Sequence, residues 1–271
     1  MNLAHDAHAL PGAHLDFARM PGHWLLARMG KRVLRPGGIE LTRRMLDALD
    51  IRSDDHVVEL APGLGTTTRM VLQSAPASYT AVERDPDATA LTRKLLRVGD
   101  RCLLGSANHT GLEDASATVV FGEAMLTMNT ADQKRAIVRE ALRVLRPGGR
   151  YGIHELALAP DYLAQDLKDQ VQRDLSSAIR VGARPLTVQE WRALFEDAGF
   201  EVVSTKTNPM HLLEPSRVIA DEGLRGALRI GANLLRTPVA LRRVRAMRSV
   251  FRRHREHLCA VMLVAKKTAA S

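Results

Sequence analysis

The 271-residue chain reads as an α/β protein, a mostly parallel sheet with helices on both faces. Two observations predict this. From residue 56 to residue 157, short β-branched runs alternate with stretches of helical period, and strands joined through helices pair in parallel. Within that alternation, Val57-Val58-Glu59-Leu60-Ala61-Pro62-Gly63-Leu64-Gly65-Thr66-Thr67-Thr68 carries a strand and a carboxylate into a glycine-bearing turn and on into a helix. Such a layout opens the C-terminal edge of a strand onto a ligand. Glycine lets the backbone approach without a Cβ, and the helix points its first amides at the site.

The elements follow in order. Residues 1–15 lack periodicity, and His5, His8 and His14 read as part of a polar, frayed start rather than a metal site. The stretch 15–34 reads as helix broken near Pro21-Gly22, with Trp24, Leu25, Met29 and Val33 on one face. After the loop Arg35-Pro36-Gly37-Gly38, residues 39–50 form an amphipathic helix that turns Leu41, Met45, Leu46 and Leu49 inward. Strands are then expected at 56–60, 79–83, 101–104, 117–121 and 149–157, with helices at 65–74, 87–98 and 131–146 between them. Thr187 and Glu190 have capping-box spacing at the start of a further helix, which Ala198-Gly199-Phe200 ends before a strand at 201–207. The last strand is Ala260-Val261-Met262-Leu263-Val264-Ala265. Two segments exceed this pattern. Residues 158–184 hold a helix expected at 161–179, and residues 208–257 read as two helices broken near Thr237-Pro238. The organisation expected is an N-terminal helical lid segment, 1–37, followed by one domain, 38–271, with those two helical insertions.

The residues also say what the ligand is. Tyr79-Thr80-Ala81-Val82-Glu83 ends a second strand in an acid, placed to accept two hydrogen bonds from a ribose diol. Glu59, at the end of the first strand, suits a cationic amino-acid group and would repel a pyrophosphate. Thr68 stands where close pyrophosphate packing favours a third glycine. An adenosine carrying a charged amino acid fits these residues better than a dinucleotide.

With Glu140-Ala141-Leu142-Arg143-Val144-Leu145-Arg146-Pro147-Gly148-Gly149-Arg150-Tyr151 the chain resembles the class I S-adenosylmethionine-dependent methyltransferases. That family joins a glycine-rich first motif, an acid ending strand two, and an R-V-L-K/R-P-G-G turn before strand five. The match covers roughly residues 38 to 204, and Leu186-Thr187 with Glu190-Trp191 resembles a segment of the small-molecule members. The resemblance implies a Rossmann-like, mostly parallel seven-stranded sheet with an antiparallel last strand and added lid helices. It implies S-adenosylmethionine as cofactor and S-adenosylhomocysteine as product, with no metal. Around the cofactor it places Glu59, Ala61, Gly63 and Gly65 of the first motif, then Glu83 and Arg84, and finally Ser106, Ala107, Asn108 and Gly122. Ala61 replaces the family's first glycine. In Leu104-Gly105-Ser106-Ala107-Asn108 the usual aspartate is missing, so Ser106 or Asn108 is expected to meet the adenine amino group.

Methyl transfer from a sulfonium needs alignment above all, and a base only where the acceptor arrives protonated. His154, near the end of strand five, is the candidate base, with Glu123 beyond strand four as the second catalytic candidate. Neighbours on a strand face opposite sides, so only one of His154 and Glu155 serves a given face. His23 and Trp24 are expected in the acceptor pocket. Gly122-Glu123-Ala124-Met125 lacks the N-P-P-Y type motif of adenine-methylating members, and no convincing set of metal ligands is present.

Composition limits the rest. A charge of +9 and a pI near 10.1 invite a nucleic-acid reading, but aromatic residues make up only 4%, too few for base-stacking platforms. The expected reaction moves a methyl group to a small, apolar or amphipathic acceptor by in-line displacement. The alternatives are a non-catalytic binder of S-adenosylmethionine and a nucleic-acid methyltransferase. No apolar run approaches the ~20 residues that span a bilayer, and the first residues do not resemble a secretory signal. Cys102 and Cys259 read as reduced thiols, so the expected location is cytoplasmic. The arginine-rich helices of 217–255 are expected to offer a contact to an anionic membrane surface.

Overall fold

The computed structural model describes residues 10–268; His5 and His8 lie outside them. The chain runs α1 (Gly22–Arg28), α2 (Gly38–Leu49), β1 (His56–Leu60), α3 (Thr66–Gln73), β2 (Ser78–Glu83), α4 (Pro86–Arg93), β3 (Arg101–Leu104) and β4 (Ala117–Glu123). It continues through α5 (Ala131–Val144), β5 (Leu145–Leu158), α6 (Gln165–Ile179), β6 (Leu186–Thr187), α7 (Val188–Glu196) and β7 (Phe200–Pro209). It closes with α8 (Pro215–Arg236), α9 (Pro238–Arg253) and β8 (Leu258–Lys267). The sheet order is β3-β2-β1-β4-β5-β8-β7, with β8 antiparallel to both neighbours. The family's mostly parallel sheet with an antiparallel last strand is therefore what the chain adopts. One strand is additional: β6, only two residues long, pairs in parallel with the end of β5 at Ala157 and Leu158.

Each face of the sheet has its own apolar layer. On one side Leu41, Met45 and Leu49 of α2 pack on Val57, Phe121 and Val264. Gly152 makes this close approach workable, because a Cβ there would meet Leu49 at 2.9 Å. On the other side Ile137, Val138 and Ala141 of α5 join Trp191 and Phe195 of α7 around Tyr151. The Trp191 indole N–H donates to the Leu156 carbonyl at 3.1 Å, so this large side chain is buried with its donor satisfied. Capping boxes start α5 at Thr130/Gln133 and α7 at Thr187/Glu190. Cys102 and Cys259 are both free.

A third apolar cluster lies beyond the strand ends. Leu25, Leu26, Val171, Leu175, Met210, Met247 and Phe251 pack together there, joining α1, α6 and α9. Gly22 marks the contact, since a Cβ would meet Met247 Sδ at 2.9 Å. The insertion 208–257 breaks at Thr237-Pro238, and α8 carries a second interruption at Gly223, with φ 71° and ψ 167°. Among the described residues, no helix is long and apolar enough to cross a membrane.

The helix expected over 87–98 ends at Arg93, and three further expected boundaries shift for local reasons. The helix expected over 15–34 is only Gly22–Arg28. Beyond it the backbone N–H groups of Arg32 and Val33 donate to Glu222 at 2.7 and 2.9 Å rather than to a helical carbonyl. The helix expected from 161 begins at Gln165, and Asp161 instead accepts from the Gln189 N–H at 3.0 Å. The fifth strand starts at Leu145, four residues early, because Leu145 pairs with Ala117 before a register shift.

The break after α1 is held by charge. Lys31 is buried between Asp221 (3.4 Å) and Glu222 (3.7 Å), the two residues before the Gly223 interruption. Asp221 also accepts the Ile39 N–H at 3.1 Å. Burial pushes the Lys31 pKa down, against the two carboxylates, which raise it. Removing one partner of a buried pair costs about 3–5 kcal/mol. Lys31→Ala is therefore expected to lower the unfolding free energy by that amount in urea titration. A loss below about 1 kcal/mol would mean that the ion pair does not fasten α8 to the segment before α2.

Candidate active site

The sheet order reverses direction between β1 and β4, and in open α/β sheets ligands bind outside the strand ends at such a point. A cavity of about 310 Å³ opens there. Its walls come from the turns after β1, β2, β3 and β4, from the segment before α2, and from the third apolar cluster.

Glu59, Ala61 and Gly63 line the cavity from the first turn. Glu59 is buried and accepts at Oε2 from Thr68 (2.8 Å) and from the Tyr79 hydroxyl, which leaves Oε1 to the cavity. Burial raises its pKa to about 7. The Tyr79 and Thr68 hydroxyls pull it down, while Glu123 adds to the rise. Ala61 holds φ +56°, a left-handed conformation that costs a residue with a Cβ roughly 1–2 kcal/mol. Gly63, at φ +57°, faces open space: a Cβ there would meet nothing nearer than Trp24, at 4.0 Å.

Glu83 braces this turn from β2. Its carboxylate accepts the Gly63 N–H at 3.1 Å and the Asp85 N–H at 2.9 Å, one on each oxygen. Burial moves its pKa upward against those backbone donors. Arg84, Ser106 and Ala107 also line the cavity.

Beside Glu59 lies a polar knot that sequence reasoning misses. Glu123, at the end of β4, accepts from Thr42 Oγ1 at 2.6 Å and from Thr67 Oγ1, and it forms an ion pair with Arg35. His154 Nδ1 stands 2.9 Å from Oε1, the oxygen Thr42 also reaches, while Arg35 and Thr67 meet Oε2. Burial would raise the Glu123 pKa, but Arg35 and then His154 hold it down at about 2. Arg35 also donates to Thr42 at 3.2 Å and to Thr67, so α2, α3 and β4 meet on one guanidinium. Arg35 sits in a turn that reads as a connector, and its acid is 88 residues away, so sequence spacing carries no signal for the pair.

His154 corrects the expectation of a general base. It is fully buried and does not line the cavity. Its Nε2–H donates to the Pro36 carbonyl at 2.5 Å while Nδ1 faces Glu123, so neither nitrogen is open to an acceptor. Glu123 does reach the cavity, but a carboxylate held near pKa 2 with four partners takes up protons poorly. Glu155 turns to the other face, as the strand alternation required. It accepts the Met125, Leu126 and Thr127 N–H groups at 2.9, 2.7 and 3.1 Å, and the Thr127 hydroxyl at 2.7 Å. It therefore fixes the loop after β4.

Several other positions sit differently from expectation. Gly65, Asn108 and Gly122 do not line the cavity. Gly65 is needed for its φ of +66° and for the room that Leu95 takes, which a Cβ would overlap; Gly122 sits against Leu60 of β1. Asn108 accepts from Ser106 Oγ at 2.6 Å instead. Trp24 stands over Gly63, and His23 is edge-on to it at 4.5 Å. The His23 pKa falls to about 4, chiefly through burial, with Arg84 lowering and Asp85 raising it. Both rings line the cavity, Trp24 beside the glycine turn.

Most of the remaining wall is apolar, with Thr127, Asn129 and Glu155 among its polar members. Leu26, Leu175, Ile179, Met210, Met247 and Phe251 form the apolar part, with Met125 and Met128. Among the described residues, no cluster of His, Cys, Asp or Glu is arranged to hold a metal ion.

Comparison with known proteins agrees with this site. The family described as "Methyltransferase domain" matches residues 58–153, the segment from β1 to β5. An uncharacterised protein of Haemophilus influenzae is 32% identical over 220 residues, 79% of this chain and 86% of that one. The arsenite methyltransferase of Halobacterium salinarum is 28% identical over 155 residues, 55% of this chain and 38% of that protein. A shorter match, to the ribosomal RNA small subunit methyltransferase A of Myxococcus xanthus, is 42% identical over 71 residues, 26% of this chain and 25% of that one. The phosphoethanolamine N-methyltransferase 2 of Haemonchus contortus, solved with S-adenosylmethionine, superposes with a TM-score of 0.68 at 14% identity, covering 92% of this chain and 57% of that one. The chain belongs to the class I S-adenosylmethionine-dependent methyltransferases, and S-adenosylmethionine is its cofactor. The cradle suits that cofactor: Gly63 leaves the approach open, Glu59 keeps an oxygen for an ammonium, and each Glu83 oxygen has a lone pair for a ribose hydroxyl.

The titration of Glu59 sets a pH dependence for the cofactor. An amino-acid ammonium needs Glu59 ionised, so below its pKa of about 7 a proton must leave on binding. Affinity for S-adenosylhomocysteine is expected to fall as pH drops below 7, approaching tenfold per unit. It should also weaken above ~8, where an α-amino group loses its charge. Calorimetry across pH should show the acid limb in the wild type and not in Glu59→Gln; equal limbs would remove Glu59 from the ammonium site. His154→Ala should lower stability by about 1–3 kcal/mol, since it strips a partner from Glu123 and a donor from the Pro36 carbonyl. The pH profile of turnover should keep its shape, and loss of its acid limb would restore His154 as the base.

Proposed function

We propose that the chain methylates a small, apolar or amphipathic acceptor whose nucleophile is already available, without a dedicated general base. The observation that carries this reading is the apolar wall of Leu175, Ile179, Met210, Met247 and Phe251. Glu155 also lines the cavity, but both of its oxygens are taken by the Met125, Leu126 and Thr127 amides and the Thr127 hydroxyl. Glu123 is held as an ion-paired anion, His154 is sealed behind it, and His23, beside Trp24, has its pKa lowered to about 4. A thiolate, phenolate or unprotonated amine needs no proton removed before attack.

When bound, S-adenosylmethionine supplies a methyl group already activated by its sulfonium. The acceptor lone pair forms the new bond as the carbon–sulfur bond breaks, and that electron pair stays on sulfur. Any proton on the acceptor leaves to solvent afterwards. In this reading Glu59 and Glu83 hold the two ends of the donor, and Trp24 closes over the glycine turn. The apolar wall orients the acceptor and excludes water. Such alignment supplies up to ~7–11 kcal/mol of the barrier reduction.

The deciding experiment incubates the enzyme with methyl-deuterated S-adenosylmethionine and cell extract, separated into organic-soluble, aqueous and RNA fractions for mass spectrometry. Label in an organic-soluble small molecule supports the proposal. Label confined to RNA would favour the nucleic-acid reading, and no label in any fraction would favour a non-catalytic binder. With an acceptor in hand, Val181→Asp places a charge on the cavity wall. It is expected to raise the acceptor KM at least about tenfold while leaving S-adenosylhomocysteine affinity unchanged.

A further inference from the structure

The arginine-rich insertion divides into two unlike helices. On α9 the arginines are largely used within the protein. Arg243 donates to the Phe17 and Met20 carbonyls at 2.8 and 2.5 Å, Arg248 and Arg252 grip Glu214, and Arg253 approaches Asp174. The Glu214 carboxyl is held near pKa 2, by Arg252 first and Arg248 second.

After its interruption at Gly223, α8 is built differently. Its inner face is marked by Ile230, the one buried residue of α8. At about 100° per residue, Leu224, Leu228 and Leu235 fall in one line on the side away from Ile230. They are 63%, 65% and 74% exposed, too open to be core residues left uncovered by chance geometry. Arg225, Arg229 and Arg236 each follow one of these leucines, so a row of guanidiniums runs beside the row of leucines. All three are exposed, and among the described residues none forms an ion pair; Arg229 donates only to the Gly30 carbonyl, at 3.4 Å. The small side chain of Ala232 falls between the two rows, and no acidic side chain lies between Leu224 and Arg236.

A row of leucines with a parallel row of unpaired cations is chemically matched to one kind of partner. Leucines alone would suit a second protein, and cations alone would suit a phosphate backbone. Together they match an anionic lipid surface, where the apolar row sinks among acyl chains and the guanidiniums stay at the headgroups. We propose that the outer face of α8, residues 224–236, docks the enzyme on anionic membranes, lying in the interface and not crossing it. The proposal stands apart from the acceptor reading, because it rests on the outside of the lid and not on the cavity.

The test is co-sedimentation of the full chain with phosphatidylglycerol-containing and with pure phosphatidylcholine vesicles. Calorimetric binding of S-adenosylhomocysteine serves as the control for folding. The expected result is binding to the anionic vesicles, weakened by salt, and little binding to the neutral ones. Arg225→Gln with Arg236→Gln should weaken it about fivefold per charge. Leu224→Ser with Leu228→Ser should weaken it at least about tenfold while S-adenosylhomocysteine binding is unchanged. If the leucine variant sediments as the wild type does, the attraction is electrostatic only and the docking proposal fails. It fails equally if the wild type ignores anionic vesicles at low salt. A wild-type dimer that the leucine variant converts to monomer, with no vesicle binding, would assign the face to a second copy of the chain and overturn the proposal.

Discussion

The carboxylate of Glu123 is the point at which the site is tied together. It receives Arg35 from the segment before α2, Thr42 from α2, Thr67 from α3 and His154 from β5. These elements are far apart in sequence, and each places one group on a single buried anion. An anion in that position is tolerable only because every direction around it is answered. Glu123 also raises the pKa of Glu59, so the charge that organises the protein side sets the proton affinity of the cofactor side.

How much of this is legible in the sequence depends on the range of the interaction. The strand and turn at Val57–Thr68, the acid at Glu83 and the capping boxes at Thr130 and Thr187 are local patterns, and each appears where its residues place it. The knot is not local. Arg35 reads as the start of a Pro-Gly-Gly turn, and nothing near it announces an acid 88 residues on. Residue type alone makes His154 a base at a strand end, whereas its role follows from what surrounds it. The short α1 has the same explanation: a helical period continues past Arg28, but Glu222 takes the Arg32 and Val33 amides.

The two halves of the cavity obey different physics. The cofactor half is made of strand ends and turns whose geometry is set by backbone hydrogen bonds, such as Glu83 to Gly63. The opposite half is made of side chains from α1, α6 and α9, which hold one another through the third apolar cluster. Changing a residue of that cluster alters the shape offered to an acceptor without touching the turn that Glu83 braces. The buried pair of Lys31 with Asp221 sets where α8 lies against the core, so that helix has a fixed anchor.

The loop after β4 has one further consequence. Ala124, Met125, Leu126 and Thr127 give every one of their backbone N–H groups to β5, the first to the His154 carbonyl and the others to Glu155. Three of these residues border the cavity, so this stretch of its rim has no amide left to donate. Acyl-transfer chemistry, which gathers negative charge on an oxygen, would look for such amides and find none there. Displacement at a saturated carbon creates no oxyanion, and a rim emptied of donors costs it nothing.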